Sequence, residues 1–425
     1  MKNFPVSFAS RFFPSGFGNA LKQALVFAII VFGHLTLHQS LANAQGQLLS
    51  EDELAKQETF ESLARALAEP EKVYKLDLTR NNIKKLPPKF STLKNLQVLI
   101  LNQNPLTELP DDIGSFKNLQ VLSVSTCLLK KIPASIGRLD SLTALSFSKN
   151  PLTSIPKEIA NLKKLRVLDL SGTRIKGEAP AFLGSLKNLT GLAMADNQIT
   201  KLPSSIGNLK ALMQLDLSRN QLSSLPKEIK DCSLLLDIDL SLNNFKMFPE
   251  PLTQVQYLRS VILDENPLQT WSPNLGAMKN LRMLSIANNK MAIFPKELCS
   301  IDSLMFLKAA NNRFTDIPKE IGRLKMLRLL DISYSELTEL PKEIGELKDL
   351  RTFNCAFNRL KSLPEELCEL TNLTFLNAST NYLTMLPKNI TNLNKVTDVY
   401  ISGGNKIPQE ELERWRKVIP QALFQ

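Results

Sequence analysis

Apolar residues recur along most of the chain with a fixed period of 23 residues. Each repeat reads L-x-x-L-x-L-x-x-N-x-L-x-x-L-P-x-x-I-x-x-L-x-x, as in the segment that starts at Leu212. The x-L-x-L-x part alternates as a half-buried β-strand does, and a single repeat cannot bury its apolar side alone. The pattern therefore predicts stacked coils that share one core. The fifteen repeats begin at Val73, Leu96, Leu119, Leu142, Leu165, Leu189, Leu212, Leu235, Leu258, Leu281, Leu304, Leu327, Leu350, Leu373 and Val396.

The ninth position of the repeat is asparagine in eleven of the fifteen repeats. A buried asparagine amide can donate to carbonyl groups of neighbouring coils, so we expect a structural ladder there. Its members are Asn81, Asn104, Asn150, Asn197, Asn220, Asn243, Asn266, Asn289, Asn312, Asn358 and Asn381. The other four repeats carry Cys127, Thr173, Ser335 and Gly404, and a small thiol or hydroxyl can supply a weaker bond. Twelve prolines occupy the fifteenth position, where a fixed φ suits a turn away from the sheet.

This repeat resembles the leucine-rich repeat family, in its bacterial and Ras-group form with Leu-Pro in the second half. The resemblance covers about four-fifths of the chain. It implies an α/β repeat solenoid over residues 73–407, a curved horseshoe with a parallel concave β-sheet, and a helical cap at each end. Positions three, five, seven and eight would then face outward on the concave sheet, where such proteins usually bind.

The N-terminal residues have the features of a secretory signal. Residues 1–44 include basic residues and no acidic one, residues 24–33 are wholly apolar, and Ala42 and Ala44 precede Gln45. These features predict a signal peptide over 1–44 with cleavage after Ala44, and an uncleaved anchor is the alternative. The mature protein would be secreted, periplasmic or held at the cell surface. No apolar run reaches the roughly 18–20 residues that a transmembrane helix needs, so we expect none after processing.

Segments 45–72 and 408–425 flank the array and predict an N-terminal helical cap and a C-terminal cap helix. Ser50 and Glu53 have the spacing of a capping box, and Pro408 suits the first position of the last helix. The apolar faces of the two caps would be Phe60, Leu63 and Leu67, and Leu412, Trp415 and Ile419.

Composition argues against catalysis. The chain has 52 Lys plus Arg, 41 Asp plus Glu and 2 His, a net charge of +11. Both histidines, His34 and His38, lie in the predicted signal, so a processed chain would have no Ser-His, Cys-His or His-metal site. Its net charge would be +8, because three basic residues leave with the signal. The five cysteines form no Cys-x-x-Cys motif, and acidic dyads are the one acid–base arrangement left open. We therefore predict a non-enzymatic protein without cofactor or metal.

The outward positions give two candidate partner-binding sets. Large apolar residues cluster in repeats ten to fourteen, although contact between neighbours on the sheet would explain them without a partner. This apolar set is Met283, Phe306, Leu329 and Phe375 at position three, with Tyr334 and Phe357 at position eight. The acidic set, also common in the family for structural reasons, is Asp169, Asp216, Asp239 and Asp331.

Lysines recur at position twenty-two along one edge, from Lys94 to Lys348. They could meet an anionic glycan or envelope surface, or form a solvated edge beside nearby acids. No nucleic-acid motif is present. Two repeats break the pattern: repeat five has one extra residue, and repeat nine has Trp271 in place of leucine, with its proline displaced to Pro273. These breaks could shape a local pocket or be ordinary drift. The sequence as a whole predicts a protein-binding scaffold, with a structural or adhesive glycan-binding protein as the alternative.

Overall fold

The computed structural model describes residues 48–389, 392–420 and 423–424. The predicted signal peptide 1–44, with Ala42, Ala44 and Gln45, lies outside the described residues. By its contacts the chain divides into two compact parts. The N-terminal part extends to Lys176 and includes Pro180–Asn197, and the C-terminal part comprises Gly177–Ala179 and everything from Gln198 onward. In the part of the chain that the structure describes, no helix has the length and apolar character needed to cross a bilayer.

The N-terminal part contains one parallel sheet, to which each repeat contributes a three-residue strand from positions three to five. The strands pair one-to-one, so that Leu76 lies opposite Leu99 and Leu99 opposite Leu122. Their central leucines point into the core and are fully buried. The strands are β1 Thr59–Phe60, β2 Lys75–Asp77, β3 Val98–Ile100, β4 Val121–Ser123, β5 Ala144–Ser146, β6 Val167–Asp169 and β8 Gly191–Ala193.

The C-terminal part repeats this arrangement with the same register, for example Leu284 opposite Leu307. Its strands are β10 Gln214–Asp216, β11 Asp237–Asp239, β12 Ser260–Ile262, β13 Met283–Ser285, β14 Phe306–Lys308, β15 Leu329–Asp331, β16 Thr352–Asn354, β17 Phe375–Asn377, β18 Asp398–Tyr400 and β19 Leu423–Phe424. Two further strands, β7 Lys176–Glu178 and β9 Gln198–Lys201, lie outside these sheets, and the Ala179 N–H donates to the Lys201 carbonyl at 2.9 Å.

Most coils return through a short 3-10 helix, which the fifteenth-position proline usually precedes. Pro110 and Pro226 have φ of −71° and −66°, close to the value that the proline ring imposes. In the N-terminal part these helices are Pro70–Lys72, Pro88–Thr92, Asp111–Ser115, Ala134–Arg138, Lys157–Asn161 and Ala181–Ser185. In the C-terminal part they are Ser204–Asn208, Lys227–Asp231, Glu250–Gln254, Leu275–Ala277, Lys296–Ser300, Lys319–Arg323, Lys342–Glu346 and Glu365–Glu369.

The apolar positions of the repeat form the core. The leucines of positions one, four and six and the isoleucines of the 3-10 helices, such as Leu212, Leu215, Leu217 and Ile229, are at most 3% exposed. Backbone bonds run between equivalent positions of neighbouring coils, as from Leu240 N–H to Ile262 C=O at 2.8 Å. This architecture confirms the predicted leucine-rich repeat solenoid with a parallel sheet.

The N-terminal segment differs from a single helical cap. It contains α1 Glu51–Lys56, then β1, then α2 Leu63–Ala68. The capping box between Ser50 and Glu53 is present, with the Ser50 N–H donating to the Glu53 carboxylate at 2.8 Å. Phe60 lies in β1 and is 2% exposed, so it does not share a helical face with Leu63. The reason is that β1 gives backbone partners to β2, which would otherwise be an unpaired sheet edge.

The C-terminal segment consists of α3 Gln409–Val418 followed by β19. Pro408 is the residue before the helix and not its first residue. Trp415 is fully buried, and its Nε1–H donates to the Pro387 carbonyl at 3.3 Å. Strand β19 pairs in parallel with β18, so a short strand again covers the edge of the sheet.

Candidate functional site

The asparagine ladder determines which polar groups are available on the sheet. In a representative rung, Asn104 Nδ2 donates to the Leu78 carbonyl of the preceding coil and to the Leu101 carbonyl of its own coil, both at 2.8 Å. Its Oδ1 accepts the Ile83 N–H at 2.9 Å. One buried side chain thus satisfies backbone donors and acceptors that the short strands leave unpaired, and it is not available to a ligand.

The first repeat departs from this pattern. Asn81 is exposed, and its amide donates only to the Thr79 carbonyl of its own coil at 3.1 Å. In later repeats the equivalent amide reaches a carbonyl 26 or 27 residues earlier, as from Asn104 to Leu78 and from Asn197 to Leu170. For Asn81 the same separation in sequence leads to the α1–β1 region, which is not a repeat coil.

Where the ninth position is not asparagine, the side chains differ in the hydrogen bonds that they make. Cys127 Sγ donates to the Leu101 carbonyl at 3.3 Å, and Thr173 Oγ1 donates to the Leu170 carbonyl at 3.1 Å. Ser335 Oγ is buried without a partner among the described residues. In the last repeat Asn405 takes the role, because its Nδ2 donates to the Ala378 carbonyl at 3.0 Å.

The open face of the sheet in the C-terminal part carries the apolar set predicted from the sequence. Met283, Phe306, Leu329 and Phe375 are all half-buried, and strand register places Met283 opposite Phe306 and Phe306 opposite Leu329. Phe375 also contacts Tyr400, with ring centroids 5.4 Å apart. Met283, Phe306 and Leu329 are consecutive across the sheet, and Thr352 separates Leu329 from Phe375. We call these four apolar residues the apolar row.

Tyr334 and Phe357 lie beside this row and form the most exposed aromatic contact on the face. Their rings stack with centroids 4.1 Å apart and an interplanar angle of 9°. Tyr334 is 52% exposed and Phe357 is 41% exposed, so the stack leaves much aromatic surface in water. Such exposed aromatic surface is unusual on a sheet with no partner and is typical of interface anchors.

Position eight also imposes backbone strain. Tyr334 and Phe357 have φ of +53° and +54°, as do position-eight residues such as Leu242 and Thr126 at +56° and +57°. The left-handed region costs a non-glycine residue about 1 kcal/mol. The pair is thus retained at a position where glycine, as at Gly172, would be less strained.

The acidic set is largely engaged within the protein. Asp331 and Asp239 each accept a bond at 2.6 Å from the hydroxyl two residues later, Ser333 and Ser241. Asp216 accepts the Ser218 hydroxyl at 2.7 Å. Asp169 in the N-terminal part is half-buried, desolvation of its carboxyl group raises its pKa, and it accepts the Ser171 N–H at 2.9 Å. The structure therefore gives these aspartates a local role in holding the loop that follows each strand.

Two further acids and one serine, missed in the sequence pattern, lie among them in the C-terminal part. Burial raises the pKa of Asp237 to about 6, opposed by a bond from Gln214 and the charge of Arg259. Burial likewise raises the pKa of Asp264, which accepts the Ser285 hydroxyl at 2.6 Å. Ser260, opposite Asp237, is 5% exposed and its Oγ has no partner among the described residues. The only feature of the sequence that could have indicated these three residues is a carboxyl or hydroxyl side chain at an outward position of repeat eight or nine.

The lysine edge is tied to neighbouring coils. Lys117, Lys210 and Lys279 donate to carbonyl groups in the next coil at 2.7–2.8 Å. Lys325 and Lys348 form ion pairs with Glu346 and Glu369 at 2.6 and 2.7 Å. These contacts favour a structural role for the lysine edge, since its ammonium groups contact the carbonyl ends of 3-10 helices.

The remaining chemistry is sparse. Burial raises the pKa of Cys232 to about 11 and also raises that of the buried Cys355, so neither is a thiolate at neutral pH. Over the described ranges all five cysteines are free, and no cluster of three or more Cys, Asp or Glu side chains could hold a metal ion.

Repeat nine carries Trp271, which stacks on Phe248 with centroids 6.4 Å apart and donates from Nε1 to the Ile293 carbonyl at 3.1 Å. Its 3-10 helix is shortened to Leu275–Ala277. Trp271 therefore packs between the preceding and following coils.

Comparison with known proteins agrees with this architecture. A family model described as a leucine-rich repeat region matches residues 72–193, 165–293, 258–358 and 317–414. None of the curated proteins matches the chain. Among solved structures, a leucine-rich repeat protein of Leptospira interrogans is 32% identical with a TM-score of 0.74, and the match covers 87% of this chain and all of that one.

Two other solved structures are more distant. The ectodomain of the Arabidopsis thaliana receptor kinase GASSHO1/SCHENGEN3, in complex with Casparian strip integrity factor 2, is 26% identical with a TM-score of 0.56, over 84% of this chain and 50% of that one. An internalin of Listeria monocytogenes is 21% identical with a TM-score of 0.61, over 72% and 86% of the two chains, and shares the fold alone.

Proposed function

Since the chain belongs to the leucine-rich repeat family, we propose that it is a non-enzymatic scaffold that binds a protein partner. The binding surface is the open sheet face of repeats ten to fourteen. We further propose the domain order predicted above, with a removed signal peptide 1–44, so that binding takes place outside the cytoplasm.

The observation that carries this proposal is the stacked, exposed pair Tyr334 and Phe357 beside the apolar row. Aromatic anchors of this kind dominate the energetics of protein interfaces when a partner removes them from water. Both residues share the left-handed backbone of position eight with the other repeats, so this conformation belongs to the repeat, and it is the exposure of the two rings that supports binding.

The relatives support binding as the general task. The receptor ectodomain of Arabidopsis is seen in complex with Casparian strip integrity factor 2, and by analogy we propose a macromolecular ligand for this chain as well. On the strands themselves, Asp331 and Asn377 accept turn bonds from Ser333 and Ser379, so the large apolar side chains between them are the principal contacts that this part of the face offers.

The test removes the exposed aromatics without disturbing the core. The double variant Tyr334→Ser/Phe357→Ser should weaken binding of the purified partner at least about 30-fold, because hot-spot truncations cost about 2 kcal/mol or more. The partner is first identified by cross-linking to the wild-type full chain and then measured by calorimetry. Leu242→Ser is the matched control, since Leu242 shares position eight and its φ of +56°.

An unchanged affinity in the aromatic variant, with the control also unchanged, contradicts the assignment of the binding face. Export is tested separately by N-terminal sequencing of the protein recovered from the envelope or medium. We expect the sequence to begin at Gln45, and an intact Met1 would contradict cleavage.

A further inference from the structure

Arginine is concentrated at position two of repeats nine to thirteen. This position is the residue just before each strand, at the edge of the sheet where the strand begins. Arg259, Arg282, Arg328 and Arg351 occupy it, with Met305 between the two pairs. Outside this stretch, position two is arginine only at Arg166 in repeat five, and the other repeats carry uncharged residues there. We call the four residues the arginine row.

The row is poorly compensated within the protein. Arg282 and Arg351 are exposed and Arg328 is half-buried, and no side-chain hydrogen bond or ion pair joins these three to another residue in the described ranges. Arg259 differs, because its charge acts on Asp237. By contrast, Lys325 and Lys348 of the neighbouring lysine edge each pair with a glutamate. Arg282, Arg328 and Arg351 are therefore cationic surface that no contact among the described residues compensates.

The spacing of the row suits a ligand that carries several negative charges. Neighbouring coils place equivalent residues about 4.8 Å apart, so Arg282 lies next to Arg259 and Arg351 next to Arg328. Like charges at this separation repel, and a bound carboxylate relieves the repulsion while accepting two parallel N–H bonds from a guanidinium. Arginine is for this reason enriched at interface anchors.

The arginine row runs alongside the apolar row. Arg282 immediately precedes Met283, and Arg328 immediately precedes Leu329, so strand register holds the two rows side by side. Positions two, three and five of repeats ten to thirteen carry four positive charges and one negative charge. The positive residues are Arg282, Lys308, Arg328 and Arg351, and the negative residue is Asp331.

Charge also limits where such a ligand can lie. Asp237, Asp239 and Asp264 occupy the open face in repeats eight and nine. Their carboxylates would repel an acidic ligand there. The favourable surface therefore ends near repeat ten on one side.

From these observations we propose that the partner docks an extended acidic segment on repeats ten to thirteen. Its apolar side chains contact the apolar row, and its Asp or Glu carboxylates bind Arg282, Arg328 and Arg351. This inference rests on the proposed function, and it adds the charge and the chemical character of the partner segment.

The test uses random dodecapeptides displayed on phage and selected on the immobilised full chain. Selected peptides should be enriched in Asp and Glu next to Leu, Ile or Phe. Synthetic copies should bind at least ten-fold more weakly to Arg328→Gln/Arg351→Gln, and their affinity for the wild type should fall with added salt. Arg323→Gln is the matched control, because Arg323 is an exposed arginine in a 3-10 helix of the same coils.

Four results overturn the inference. The inference is wrong if the selected peptides lack acidic enrichment, or if they bind the arginine variant as well as the wild type. The proposed function still stands in either case if Tyr334→Ser/Phe357→Ser abolishes binding. Failure to select any peptide dependent on the face counts against both. Heparin binding that depends on Arg328 and Arg351, without acidic peptides, assigns the row to an anionic glycan instead.

Discussion

Replacing Asn266 by alanine should loosen its own coil and the coil before it. The Asn266 Nδ2 donates to the carbonyls of Leu240, Leu263 and Asp264 at 3.0, 3.1 and 3.2 Å. Its Oδ1 accepts the Phe245 N–H at 3.0 Å. The alanine variant removes all four bonds and has no polar group to replace them.

The magnitude follows from the groups left behind. The Phe245 N–H and the Leu240 carbonyl belong to fully buried residues of the coil before Asn266. Each buried polar group that is left without a partner costs about 1–3 kcal/mol. We therefore expect a loss of about 3–5 kcal/mol in the free energy of local opening. Asn81→Ala is the matched control, since Asn81 makes one exposed bond within its own coil, and it should cost less than about 1 kcal/mol.

Hydrogen exchange followed by mass spectrometry measures this difference coil by coil, which suits a repeat protein that need not unfold in a single step. At about 1.4 kcal/mol per factor of ten, the Phe245 amide should exchange at least 100-fold faster in Asn266→Ala. If both variants alter exchange equally, the ladder is not what stabilises the stack, and the reasoning is refuted.

Two further predictions concern ionisable groups. Burial raises the pKa of Cys299 and of Cys368 to about 12, so the native chain should react with Ellman's reagent at pH 8 only after denaturation, and rapid reaction of the native chain would contradict this burial. Burial raises the pKa of Asp237 from 3.8 to about 6, so the folded state binds the proton more tightly and stability should fall as pH rises from about 4 to 6, by roughly 3 kcal/mol at pH 7. Asp237→Asn should remove that dependence of the thermal midpoint on pH, and a variant with the wild-type pH profile would show that another group is responsible.

The periodic part of the fold was predictable because one residue in every two or three is constrained by the same core. Leucines at positions one, four and six must be buried in every coil, and a 23-residue period leaves one way to stack them. The apolar set was visible for a related reason: residues such as Phe306 and Phe357 have no place on a solvated face unless something covers them.

The features that the sequence did not predict lie at the ends of the repeat array or depend on contacts with residues in neighbouring coils. Asn405 was overlooked because Gly403 and Gly404, with φ of +65° and +77°, lengthen the loop by one residue and shift the rung. Phe60 has helical spacing, yet the unpaired edge of β2 makes a strand more favourable. Ser260 is polar in sequence, and only its burial among larger neighbours makes its hydroxyl conspicuous.

The reach of the asparagine bonds has a consequence for how such a chain can change its length. Asn243 donates one coil back, to Leu217, and accepts from Leu222 in that same coil, so each coil depends on its immediate neighbours only. A gene duplication or deletion of one whole 23-residue coil therefore leaves the bonds of distant coils untouched. The number of side chains displayed on the face can then vary by evolution in steps of one coil, without a new fold having to be found.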